Sequence, residues 1–131
     1  TPGAECYCGR RGCIETFLSG PAMARDHFEH TEVRMDARDI AALDLEGDRD
    51  AGATLSRYEE RLAKSLATVI NVFDPDCIIL GGGVSNVARL YENVCRLWDR
   101  HVFSDHVNTL LKPARHGDAS GVRGAAWLWP E

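Results

Sequence analysis

Apolar positions along the 131-residue chain fall into a few separate stretches. The most regular covers residues 49–73, where Leu55, Tyr58, Leu62, Leu66, Val69, Ile70 and Phe73 recur every three or four residues. That spacing gathers them on one face and predicts a single amphipathic helix. Glu60 and Lys64, four apart in the favourable order, support it on the polar side. Asp74-Pro75-Asp76 ends it, because proline cannot continue a helix and disfavours helical backbone at the residue before. An unbroken apolar run then spans Cys77 to Leu80, followed by Gly81-Gly82-Gly83. Short and rich in isoleucine, it predicts a strand buried on both faces, as in parallel sheets.

The remaining pattern is shorter-ranged. Pro2, Gly3, Gly9 and Gly12 make residues 1–12 a loop. From Cys13 the positions Ile14, Phe17, Leu18 and Ala22 share one helical face, and Gly20-Pro21 is expected to break that helix near Ser19. Residues 26–36, polar and charged, read as a connector carrying His27 and His30. Asp36 is placed to cap a short helix running to about Asp44, with Ile40, Ala41 and Leu43 apolar. After the glycines, Val87, Leu90, Tyr91, Val94, Trp98 and Val102 predict a helix over 86–101 with Ser85 as its N-cap. Residues 108–115 read as a second strand ending at an edge at Pro113, and a last helix is expected from about Ala119 to Trp129. The fold class is therefore α/β, helix-rich, with a few parallel strands. Two strands are too few to cover these helices, so the chain is expected to be part of a larger domain.

Composition adds limits. A net charge of −5 argues against nucleic acid as the main partner, since phosphate binding needs a basic footprint. No apolar run reaches the roughly 20 residues that span a bilayer. No secretory signal is visible, and an odd count of five cysteines fits a reducing, cytoplasmic setting.

The chemistry concentrates in Cys6-Tyr-Cys8-Gly-Arg-Arg-Gly-Cys13-Ile-Glu15. Three thiols within eight residues, with glycines between them, admit a disulfide, a metal site or three free surface thiols. Thiolates converging on one point suit tetrahedral zinc at about 2.3 Å per sulfur, whereas a disulfide leaves one cysteine over and strains the Cys-x-Cys ring. His27, His30, His101, His106 and His116 are the in-chain candidates for a fourth ligand, none at a characteristic spacing. Glu15 has two readings: a carboxylate favoured by a helix N-terminus, or one held rigidly to accept hydrogen bonds from a polyol. Gly81, Gly82 and Gly83 also have two: a tight turn, or a place where a ligand approaches the backbone beyond a strand's carboxyl end. No Gly-Lys-Ser/Thr follows, so this is not a P-loop. Cys77 and Cys95 read as small buried hydrophobes, and Trp98, Trp127 and Trp129 as core or interface.

Together, "CYCGRRGCIETFLSG", "RYEERLAKSLATVINVFDPDCIILGGGVSNVARLYENV" and "HGDASGVRGAAWLWP" resemble the C-terminal part of ROK-family sugar kinases, especially bacterial fructokinases and mannofructokinases. The resemblance runs the full length of the chain. It implies the C-terminal lobe portion of an actin-like, ribonuclease-H-like ATPase fold, with a zinc loop over 1–13 and helices and an adenosine-side loop over 14–131. It implies that Cys6, Cys8 and Cys13 bind structural zinc, that Glu15 hydrogen-bonds the sugar, and that Gly81, Gly82 and Gly83 pack against ATP. The full enzyme would use MgATP to phosphorylate a hexose, fructose by this resemblance, and be a homodimer. The family's Asp-x-Gly phosphate loop, its Asn-Asp general base and its Glu-x-Gly-His element have no counterpart among these residues. The expectation is a fragment inactive by itself. The alternatives are a sugar-responsive ROK repressor and a non-catalytic, zinc-stabilised module.

Overall fold

In the computed structural model, which describes residues 3–128 (the side chain of Asp118 excepted), the long helix forms with the predicted limits. It is the third of five helices among the described residues: α1 (Gly20–Thr31), α2 (Ala37–Leu45), α3 (Arg49–Phe73), α4 (Arg89–Trp98) and α5 (Ser120–Ala126). Two strands, β1 (Cys77–Leu80) and β2 (Leu110–Pro113), pair in parallel. The chain divides within α3, between Leu62 and Ala63, into two compact units.

The first unit holds the N-terminal loop, a 3-10 turn at Ile14–Thr16, α1, α2 and the first half of α3. Its core is Ala22, Met23, Ile40, Ala51, Leu55 and Tyr58. Asp36 caps α2 as expected, its carboxylate accepting from Arg38 N at 2.8 Å and Asp39 N at 2.9 Å. Two expectations fail here. The segment from Cys13 is a 3-10 turn and not the start of an α-helix, and residues 26–31 belong to α1 and not to a connector. Pro21 starts α1 instead of breaking a helix, because the first turn has no intrahelical partner for its missing N–H. Ser19 Oγ caps that turn, accepting from Ala22 N at 3.2 Å. The face that α1 buries is Ala22, Met23, Asp26 and His27, so half of it is polar and gives no hydrophobic period.

The second unit holds the rest of α3, both strands, α4 and α5. Register pairs Cys77 with Leu110, Ile78 with Leu111, Ile79 with Lys112 and Leu80 with Pro113. α4 packs on β2 and buries Leu90, Val94 and Trp98, while Leu111 is buried on the sheet. The expectation of a strand buried on both faces is corrected. Ile79 is 56% exposed and Leu110 52% exposed, and Cys77 is exposed rather than a buried hydrophobe. α4 packs on β2, and burial alternates along β1 and over residues 110–112 of β2, so the alternate positions stay open. Cys95, on α4, is half-buried. Ser85 does not cap α4: it sits in a 3-10 turn at Gly83–Asn86, and α4 begins at Arg89 without a side-chain cap. Trp98 is core, Trp127 is 78% exposed, and Trp129 lies outside the described residues. No helix of the described residues is long and apolar enough to cross a membrane.

Candidate functional site

The N-terminal loop is a tight double-back. Cys6 N donates to Arg10 O at 2.8 Å, Gly9 N to Cys6 O at 2.9 Å and Gly12 N to Ala4 O at 2.9 Å, and Glu5 and Arg11 form an antiparallel bridge. Arg11 also ties the loop's two arms, with Nη1 3.1 Å from Glu5 Oε1 and Nε 3.2 Å from Gly3 O. Gly9 and Gly12 take φ of 81° and 71°, the left-handed region that glycine enters without strain. Gly3 is glycine for a different reason. A Cβ there would lie 2.5 Å from Gly12 Cα, so the arms close only because Gly3 has no side chain.

This closure brings Cys6, Cys8 and Cys13 together, with all three sulfurs within 4.8 Å of one another and Cys8 Sγ 3.5 Å from Cys13 Sγ. A tetrahedral zinc with sulfurs at about 2.3 Å sets them about 3.8 Å apart, so the cluster fits such an ion. All five cysteines are free, which leaves the disulfide reading without support. The thiols act on one another. The Arg10 backbone N–H, then Cys13 and Cys6, lower the Cys8 thiol, while Cys8 and then Cys6 push Cys13 up to about 11. A cation at the same point would take over the role of the thiol protons. Among the described residues no histidine or carboxylate joins the sulfurs. His27 is instead a core residue. Thr54 Oγ1 gives its one hydrogen to Asp50 O at 3.0 Å and accepts from Arg57 Nη2 at 3.1 Å, so His27 Nδ1, at 2.9 Å, donates to it.

Glu15 sits in the 3-10 turn directly after Cys13, and its side chain faces solvent. The turn is held on three sides. Thr16 Oγ1 donates to Cys13 O at 2.6 Å, Ser19 Oγ donates to Glu15 O at 2.8 Å, and the Arg25 guanidinium donates to Thr16 O. The carboxylate lies close enough to Tyr58 on α3 to act on it: burial first, then the Glu15 charge, push the phenol up to about 12.

Gly81, Gly82 and Gly83 lie at the carboxyl end of β1, all exposed, and a Cβ at any of them would meet nothing within 4 Å. Ser85 N and Oγ both donate to Gly82 O, at 3.0 Å and 2.6 Å, and Tyr91 Oη donates to Ser85 O at 2.6 Å. The turn at Gly83–Asn86 packs on a second 3-10 turn, Gly117–Ala119, which leads into α5. That neighbour was not singled out in the sequence as part of a site. The signal was there, because Gly117, Gly121 and Gly124 repeat the small-residue composition of the first turn. Both turns follow the carboxyl ends of parallel strands, the side on which α/β sheets take ligands.

The molecule is thus an α/β protein whose first unit carries a thiol loop fit for a metal and whose second carries glycine turns beyond its strand ends. The ROK family model matches residues 1–131, and the chain belongs to the ROK family. It is 37% identical over 127 residues to an N-acetyl-D-glucosamine kinase of Salmonella typhi, covering 97% of this chain and 42% of that protein. Among solved structures, a ROK hexokinase from Thermus thermophilus superposes with a TM-score of 0.78 at 30% identity, over 95% of this chain and 42% of that one. A ROK glucokinase from Streptomyces griseus, in complex with glucose and AMPPNP, gives 0.86 at 24% identity, over 97% and 47%. A ROK transcriptional regulator, a homologue of the E. coli MLC protein, shares the fold at 0.71 and 24% identity, over 85% and 31%. The chain spans less than half the length of these relatives. None of them is a fructokinase.

Proposed function

We propose that these residues belong to an ATP-dependent hexose kinase, in which they form part of the C-terminal lobe. The observation that carries this is the seating of Glu15: a metal-fit thiol loop runs into a braced turn whose carboxylate stays open to solvent. A surface carboxylate held by three hydrogen bonds to its turn is organised to receive hydroxyls. In this reading Cys6, Cys8 and Cys13 hold zinc as a structural staple, and Glu15 binds the sugar. Gly81, Gly82 and Gly83 form the adenosine side of a MgATP site. Bound MgATP supplies the phosphoryl group, and transfer is mostly positioning and charge neutralisation. The sugar we infer is an aldohexose of the glucose or N-acetylglucosamine type, following the kinases it resembles in sequence and fold; fructose, expected from the resemblance, has no such support. A homodimer in the cytoplasm goes with this reading.

The test is ADP release by the full-length protein with glucose, N-acetylglucosamine, mannose or fructose. Turnover with an aldohexose, with a raised sugar KM in Glu15→Gln, is the expected result. The absence of turnover with every hexose, together with sugar-dependent DNA binding, would establish the regulator that shares this fold. Residues 1–131 alone carry no Asn-Asp pair and are expected to release no ADP.

A further inference from the structure

Arg25 and Asp26 are neighbours on α1 and face opposite duties. Asp26 locks α1 to α3, its carboxylate taking Arg57 Nε at 2.8 Å and Arg61 Nη2 at 2.6 Å. Arg25 reaches the other way and donates to the backbone carbonyl of Thr16, nine residues earlier. Glu29, one turn along α1, lies 3.7 Å from Arg25 Nε and steadies the guanidinium. Thr16 is buried, and its carbonyl follows directly on Glu15 in the chain. The Glu15 turn is therefore clamped between two anchors. Cys13 O takes the Thr16 hydroxyl at the front, and Arg25 takes the Thr16 carbonyl at the back.

We propose that Arg25 is a positioning residue for Glu15: it fixes the turn that aims this carboxylate at the sugar, without touching the sugar itself. The inference rests on Glu15 being the sugar contact. The chemistry fits arginine better than lysine. The rigid guanidinium fork serves the Thr16 carbonyl and the Glu29 carboxylate from one plane, whereas an ammonium on a flexible stem orders neither as well. A turn released by removal of this donor loses aim rather than fold, because the thiol loop and the Ser19 bond remain. Misplacement of a positioning group by a fraction of an ångström is felt in affinity and rate long before it is felt in stability.

The experiment uses the full-length protein and compares Arg25→Met, Arg25→Lys, Glu15→Gln and the double variant Glu15→Gln/Arg25→Met. The readouts are KM for sugar, KM for ATP, zinc content and melting temperature. The expected result for Arg25→Met is a rise in sugar KM of roughly tenfold, with ATP KM and zinc content unchanged. Arg25→Lys falls between it and wild type, and added guanidinium restores part of the loss in Arg25→Met. The double variant is no worse than Glu15→Gln alone, since Arg25 acts through Glu15. Should Arg25→Met fold poorly, Arg25→Lys carries the same comparison. An unchanged sugar KM in the Arg25 variants beside a raised one in Glu15→Gln overturns the proposal, and so does an equal rise in both KM values with a lower melting temperature. An unchanged sugar KM in Glu15→Gln overturns the reading of Glu15, and the role of Arg25 falls with it.

Discussion

Asp26 and Arg57 form the polar hinge pin of the first unit: Oδ2 of the one accepts from Nε of the other at 2.8 Å, with Nη2 2.7 Å from the same oxygen. Arg61 completes the cluster at 2.6 Å. Burial alone would raise the Asp26 carboxyl, but the hydrogen bonds and charges of Arg57 and Arg61 outweigh it and hold the group below its usual value. A depressed folded value means that the stabilisation is complete above the unfolded value of about 3.9 and is lost as pH falls through the folded one. Asp26→Asn keeps the shape and removes the charge, and is expected to destabilise by about 1.5–3 kcal/mol at pH 7. Urea titrations at pH 7 and pH 3 check it: the gap between wild type and variant should shrink at the lower pH, and a gap independent of pH would contradict the ion-pair account.

The thiol loop gives a prediction about closure. In Gly3→Ala the new methyl meets the Gly12 backbone at 2.5 Å, so the two arms must separate and the sulfurs with them. Gly9→Ala strains one turn, at φ 81°, but meets no atom within 4 Å. Zinc competition with a chromophoric chelator should therefore rank wild type above Gly9→Ala and Gly9→Ala above Gly3→Ala. Cys8→Ser should lose stoichiometric zinc. Because Cys13 holds its proton to about pH 11 without metal, binding must displace it, and affinity should rise with pH through the neutral range.

How much of this was legible in the sequence depended on which residues carried the signal. α3 was readable to the residue because its buried face is apolar at Leu55, Tyr58 and Leu62. α1 was not, because its buried face is completed by Asp26 and His27, whose burial depends on Arg57, Arg61 and Thr54 some 27 to 35 positions away. A local pattern cannot show partners at that distance. The converging cysteines were legible from spacing and glycines, whereas the need for Gly3 was not, since it arises from contact with Gly12 across the closed loop. The strand Cys77–Leu80 was placed correctly, but its exposure depends on what covers the second face of the sheet, which composition does not report.

Tyr58 reports on Glu15. Its phenol, buried and close to the carboxylate, ionises only near pH 12. The raised folded value means that its contribution to stability is complete below the unfolded value of about 10 and is lost between pH 10 and 12, on the order of 2–3 kcal/mol. Comparison of wild type with Tyr58→Phe by denaturation at pH 8 and pH 11 isolates this part. Burial is the larger cause, so Glu15→Gln should move the phenolate absorbance transition down only in part. No movement at all would place Glu15 away from Tyr58.

The glycine turn separates fold from function. Gly82 needs to be glycine for the backbone, at φ 81°, and Gly82→Ala should cost about 1 kcal/mol in the isolated turn. Gly81 and Gly83 have no such reason: neither has a positive φ, and a Cβ at either meets nothing within 4 Å. By the fold alone, Gly81→Ala and Gly83→Ala should be neutral or slightly stabilising, by about 0.4–1 kcal/mol, because the unfolded chain loses freedom. If a nucleotide approaches this backbone, the same methyl groups occupy its space. The expected outcome in the full-length protein is then an unchanged or higher melting temperature with a raised KM for ATP and an unchanged KM for sugar. Both substitutions being neutral in ATP KM would remove the nucleotide from this turn and leave it a plain connection between β1 and α4.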